Sequence, residues 1–216
     1  MTFLKEESMW SWIMVAGIML LLMNACGNSR PLPTAQDKSS QVVKPAAGSS
    51  SVIQRLRMQA ERGHVEAQFE LAQAYDHGRD VPKDKTEAVR WYRLAATQGD
   101  AFAQNALGDN YWEGTGVPKD DVQATRWWHL AATQGFAPAQ HSLGKILSGG
   151  GQGVRTDKTQ AYMWLTLSAA QGDEEASRQG NLLSKQLKPA EVTNAKKLVQ
   201  QWKPARARVT INRIAQ

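Results

Sequence analysis

The sequence predicts an all-α fold, a short solenoid of helix-turn-helix repeats, on three observations. Gly63, Gly99, Gly135 and Gly172 recur at spacings of 36, 36 and 37 residues. Between these glycines the same residue types return in the same order, which is how a repeat array announces itself. A helix-start signal also repeats in register: Asp84 with Glu87, Asp120 with Gln123, and Asp157 with Gln160. Each is a variant of the capping box, an oxygen-bearing side chain followed three residues on by Glu or Gln.

The chain opens on a nearly unbroken apolar run, Trp10 to Ala25. This run is shorter than the roughly 20 residues that cross a bilayer as a helix. It matches a signal-peptide core with a small residue before the cut. Leu22-Met23-Asn24-Ala25-Cys26 resembles a bacterial lipobox, which implies that residues 1–25 are a lipoprotein-type signal peptide. Cys26 then becomes the lipidated first residue of the mature chain; the alternative is an uncleaved N-terminal anchor. With one cysteine in the sequence, an intramolecular disulfide is ruled out. Residues 26–51 read as a flexible tether, because Pro31, Pro33 and Pro45 interrupt helix and little apolar surface is available to fold. Such a tether spans roughly 25–30 Å.

Residues 52–202 form the predicted solenoid. Its units fall at about 63–98, 99–134 and 135–171. The middle unit is the cleanest, with Ala103, Leu107-Gly108 and Tyr111 in its first helix. Spacings of four place Ala103, Leu107 and Tyr111 on one face. Gly114 and Gly116 end that helix. Asp120 starts the second helix, Ala124, Trp127 and Ala131-Ala132 pack it, and Gly135 suits its C′ position. The first unit repeats this with Ala67, Leu71-Ala72, Tyr75, Asp84, Ala88, Trp91 and Ala95-Ala96. The third uses Ala139, Leu143-Gly144, Leu147, Asp157, Ala161, Trp164 and Ala169. Alanines allow close helix approach, and Trp91, Trp127 and Trp164 are expected to fill the space between helix pairs. Gly108 and Gly144 lie mid-helix, which costs about 1 kcal/mol against Ala and calls for a tight crossing there.

These residues resemble the Sel-one-like repeat (SLR) family, relatives of the tetratricopeptide repeats, over about residues 60–173. The resemblance implies a right-handed SLR/TPR-like solenoid with capping helices. Leu187 to Val192, with Ala195, Leu198 and Trp202, looks like the closing helix of bacterial SLR proteins. Pro189 suits a first helical turn, and Val192, Ala195, Leu198, Val199 and Trp202 make one apolar stripe. Upstream, Val52, Ile53, Leu56 and Ala60 make a half-unit that caps the other end.

The formal charge of +6 is uneven: from Arg178 onward nine Lys or Arg face one acid, Glu191. Residues 203–216 form a basic tail. No aromatic-interleaved basic motif or zinc framework accompanies it, so nucleic acid is not an expected partner. His64, His77, His129 and His141 show no metal-ligand spacing in sequence, and no metal or cofactor is expected. The run Gly149 to Gly153 lacks the Lys-Ser/Thr and the preceding strand that a phosphate loop needs, and reads as an enlarged turn. Asp84, Asp120 and Asp157 fall in different layers as caps, so no catalytic residue is expected.

The SLR resemblance also implies a concave groove along the first helices. Unit one would contribute Glu66, Phe69, Gln73, Asp76 and His77. Unit two would contribute Phe102, Asn105, Asp109, Trp112 and Glu113, and unit three Pro138, His141 and Lys145. Phe69, Phe102 and Trp112 stand out as aromatic anchors ringed by polar residues; for Phe69 and Phe102 the alternative is that they fill gaps between units. The expected function is a non-catalytic protein-protein interaction scaffold or adaptor. It holds an unidentified protein in the groove and is joined to the membrane through Cys26. Gly27 is not the aspartate associated with inner-membrane retention, so the lipoprotein resemblance implies the outer membrane, facing the periplasm. Two alternatives stay open: an enzyme or enzyme inhibitor acting on cell-wall material, and a cytosolic membrane-tethered adaptor.

Overall fold

Side chains that satisfy the orphan N–H groups of a first turn mark the start of five of the described helices. The computed structural model describes residues 49–205; the predicted signal peptide, Cys26, the tether to residue 48 and the tail from Arg206 lie outside them. The described residues contain α1 (Ser49–Glu61), α2 (Val65–His77), α3 (Lys85–Thr97), α4 (Ala101–Glu113) and α5 (Asp121–Thr133). They continue with α6 (Ala137–Gly149), α7 (Lys158–Ala169), α8 (Glu174–Ser184) and α9 (Pro189–Gln201). The first helix therefore begins three residues inside the segment read as a tether.

Consecutive helices pack against one another from α1 to α8, which makes an all-α helix-turn-helix solenoid. The pairs α2/α3, α4/α5 and α6/α7 are the three units. Asp84, Asp120 and Asp157 cap α3, α5 and α7 by accepting from the N–H of Glu87 (3.0 Å), Gln123 (2.9 Å) and Gln160 (2.9 Å). The returning half of the box is not made. Each capping aspartate already donates its own N–H, 2.9 Å to the carbonyl of Tyr75, Tyr111 or Leu147 in the preceding helix. Asp100 and Asp173 cap α4 and α8 in the same way, accepting from Ala103 N–H (2.7 Å) and Ala176 N–H (2.9 Å).

Leu71, Leu107 and Leu143 are fully buried at the centre of the units, and Trp91 and Trp164 are buried between them. Trp127 departs from Trp91 and Trp164 in being only partly buried against the core of the first unit, while its neighbour Trp128 is buried, as are Tyr92 and Leu165 at the same register position. Gly108 makes this possible, because a Cβ there would lie 2.5 Å from Trp128 Cδ1. The same register pairs Gly144 with Leu165, whose Cγ would be 2.7 Å from an added Cβ. In the first unit the corresponding residues are Ala72 and Tyr92.

A buried glutamine ladder runs through the array. Gln68, Gln104 and Gln140 donate to the carbonyls of Ala60, Ala96 and Ala132 at 3.0, 3.0 and 3.2 Å. Each accepts in turn from Gln98, Gln134 or Gln171 at 2.7–2.8 Å. These bonds satisfy carbonyls at the end of one unit with a side chain of the next, where water is excluded.

The closing helix does not extend the stack. α8 occupies the first-helix place of a fourth unit, and α9 folds back onto α7. Ala195 is buried, and Leu198, Val199 and Trp202 join the cluster that holds Trp164 and Leu167. The Trp202 and Trp164 rings meet edge-on at 6.4 Å. Beyond them Ala205 N–H donates to Thr133 O at 2.7 Å, drawing the chain back to the end of α5.

Candidate functional site

Chemistry-bearing side chains converge between α4 and α6, above α5. Asp109, Trp112 and Glu113 come from the last turns of α4, and Trp128 from α5 forms the floor. Ser142, Lys145, Ile146 and Ser148 of α6, with Gly149 and Gly150, make the opposite wall of a cleft of about 500 Å³. The Trp112 and Trp128 rings lie 5.9 Å apart and tilted by 50°. Lys119 Nζ sits 4.0 Å from the Trp112 ring centre and donates to the Trp112 carbonyl at 2.7 Å, which fixes that indole from outside.

Asp109 carries the unusual electrostatics. Burial pushes its carboxyl up to about 6, and Glu113 adds repulsion; the hydrogen bonds from Trp128 Nε1 and Asn105 Nδ2, both 2.9 Å, pull the other way without prevailing. Asn105 Oδ1 is buried without a hydrogen-bond partner. The cleft therefore offers an aromatic floor, a proton-sensitive acid and a lysine.

Of the groove residues expected from sequence, Asp109, Trp112, Glu113 and Lys145 line this cleft, and Asn105 stands behind Asp109. Those of the first unit are not brought to it. Glu66 and His77 are exposed on α2. Asp76 holds Lys85 Nζ at 2.6 Å and His77 Nδ1 at 3.1 Å, and Gln73 accepts from Arg79 at 3.3 Å. Phe69 is 8% exposed, against Tyr92 and Phe102 at 5.7 and 5.9 Å, and Phe102 meets Phe136 at 4.8 Å. Phe69 and Phe102 thus fill the seams between units, the alternative open at the level of sequence, because the seam between alanine-rich first helices is wide enough for one ring per unit.

Pro138 is exposed, and His141 turns away from the cleft to Asp173, Nδ1 to Oδ2 2.8 Å. Burial would raise the Asp173 carboxyl, but Ala176 N–H, the Ser168 hydroxyl and His141 hold it below the usual range. The glycine turn has its own anchor: Gln152 N–H donates to Asp121 Oδ2 at 2.8 Å, and Lys119 Nζ lies 3.0 Å from Asp121 Oδ1. A Cβ on Gly151 would stand 2.7 Å from that carboxylate, so the turn is glycine there to admit it.

Sequence reasoning did not single out Trp128, Ser142, Ile146 or Ser148 as lining residues. The signal for Trp128 was present as a second tryptophan beside the template position, opposite a mid-helix glycine. Among the described residues no group of three or more His, Cys, Asp or Glu side chains is placed to hold a metal, and no helix is long and apolar enough to cross a membrane.

The Sel1 repeat matches the chain three times, over residues 65–100, 101–136 and 137–173. A solved Sel1 repeat protein from Oxalobacter formigenes is 38% identical over 60% of this chain and 97% of its own, with a TM-score of 0.56. The structure of c5321, a protective antigen present in uropathogenic Escherichia coli strains and displaying an SLR fold, is 28% identical. That match covers 71% of this chain and 40% of the other, with a TM-score of 0.53. No curated protein matches the chain.

Proposed function

Because the chain belongs to the Sel1 repeat family, we propose that it is a non-catalytic scaffold that holds another protein in the cleft between α4 and α6. Sel1 repeat proteins are generally protein-protein interaction scaffolds. One observation carries the choice of site. Trp112 and Trp128 present paired indoles on the floor of a cleft rimmed by Asp109, Glu113 and Lys145. Buried aromatic anchors within a polar rim are where interfaces concentrate their binding energy. A partner segment would lay an apolar side chain on the indoles and hydrogen-bond to the rim.

In this reading the solenoid is an envelope lipoprotein. Cys26 carries the lipid, residues 26–48 hold the repeats away from the membrane, and the domain faces the periplasm from the outer membrane. The lipobox-like ending Leu22 to Cys26 and the composition of the tether support it.

Crosslinking in cells followed by mass spectrometry tests the cleft: Trp112→Ala should lose partners that the wild type captures. An unchanged partner set, with the variant folded by circular dichroism, overturns the cleft. Radioactive palmitate should label the wild type and not Cys26→Ser; equal labelling removes the lipid anchor.

A further inference from the structure

The second helices carry a stripe unrelated to the cleft. Met58 in α1, Leu94 in α3, Leu130 in α5 and Leu167 in α7 occupy the same register position. Met58, Leu94 and Leu130 are 51%, 39% and 46% exposed, whereas Leu167 is 8% exposed, within the cluster that α9 covers. This face thus already receives a helix, α9, over its last unit only, where it packs on α7.

The residue before each stripe position separates the open part from the covered part. It is Arg57, Arg93 and His129 where the stripe is open, and Thr166 on α7, on which α9 packs. Arg57 and Arg93 each donate to a tyrosine hydroxyl of the following first helix, Tyr75 and Tyr111, the latter at 2.9 Å. The His129 ring stands edge-on to Trp164 at 6.1 Å. None of the ion pairs among the described residues uses Arg57 or Arg93, so their charge faces solvent. Exposed Arg126 adds a further cation on α5. Where the chain's own helix, carrying Lys196 and Lys197, packs on α7, the position holds the uncharged Thr166. On α1 and α3, where no described residue lies on the stripe, it holds arginines fixed by the tyrosine hydroxyls.

We propose that Met58, Leu94 and Leu130 with Arg57, Arg93 and His129 form a second docking face, for an amphipathic helix of a partner protein bearing carboxylates beside its apolar stripe. The helix lies across α1, α3 and α5, beside the place where α9 packs on α7. At about one helix diameter per unit, the open stripe spans roughly 20 Å. A helix of about 13 residues covers that length. The basic residues from Lys203 onward have the wrong sign to be the occupant, since like charges would face the arginine row. This face is separate from the cleft between α4 and α6 and goes beyond the function proposed for it.

Two labelled synthetic helical peptides with one leucine stripe, flanked by glutamates in the first and lysines in the second, test the face by fluorescence anisotropy with the full chain. The glutamate peptide should bind at least about tenfold more tightly. Leu130→Asp should weaken its binding about tenfold. Arg93→Glu should shift the preference toward the lysine peptide, while Trp112→Ala should leave both affinities unchanged and so separate this face from the cleft. Equal binding of the two peptides overturns the proposal, as does wild-type affinity in a folded Leu130→Asp. Binding of the glutamate peptide only to a chain shortened after Ala205 also overturns it, because the stripe then belongs to the chain's own C-terminal residues.

Discussion

Asp109 is the residue whose chemistry depends most on its surroundings. A carboxyl that rises from 3.8 to about 6 on folding binds its proton more tightly in the folded state. Between those values the folded chain holds more protons than the unfolded one, so this group's contribution to stability falls as pH rises through about 6. Asp109→Asn removes the buried charge and keeps an acceptor for Trp128 Nε1. With the Asn105 amide reversed, its Oδ1 accepts from the new N–H₂, so the contact between the two side chains is kept. Because the cleft is open to water on one side, the expected gain at pH 7.5 is about 1 kcal/mol, or about 2–4 °C in Tm. The gain should shrink as pH falls from about 6 and vanish below 3.8, where the carboxyl is protonated in both folded and unfolded states; thermal melts of both chains across that range measure it. The residue type was legible in sequence, but its titration was not, because its burial against Trp128 depends on how α5 packs on α4.

At the scale of the element, the start of each second helix was legible down to the capping residue, yet the box was not. A capping box needs the N-cap N–H to be available, and here the carbonyl of the preceding helix already takes it. The two residues of the signal should therefore differ in worth. Asp120→Ala is expected to cost about 1 kcal/mol. Gln123→Ala should stay within about 0.5 kcal/mol, as for a surface change. Urea unfolding of the two variants decides; an equal loss in both would mean that the reciprocal bond forms in solution. α9 was likewise legible as an amphipathic helix beginning at Pro189. Its seat on α7 was not, because an apolar stripe states how much surface must be covered and not which neighbour covers it.

For the whole molecule, the glutamine ladder repeats the same two bonds three times, one reaching back to the preceding second helix and one closing within the unit. Gln104 donates to Ala96 O across the joint between the first and second units and accepts from Gln134 Nε2 within the second. Gln104→Leu preserves approximate volume but removes two buried hydrogen bonds, leaving Ala96 O to the Gly99 N–H and Gln134 Nε2 to the Gly99 carbonyl, so it should cost about 1–3 kcal/mol. Because units in such an array are coupled through nearest-neighbour contacts, the unfolding transition should also broaden as that joint weakens. A sharp transition at the wild-type midpoint would show that apolar packing alone holds the joint.

What the sequence determined by itself is the period, the helix ends and the apolar positions. These follow from local rules, capping chemistry and the 3.6-residue turn, which act within a few residues of chain. Only the tertiary structure decided that Trp128 is buried and Trp127 only partly so, that Phe69 and Phe102 close seams, and that Asp109, Trp112, Glu113 and Lys145 share one cleft. Those outcomes depend on which side chain of one helix meets the small residue of another. That matching is set by the angle and distance at which 13-residue helices cross, a quantity no single stretch of sequence contains.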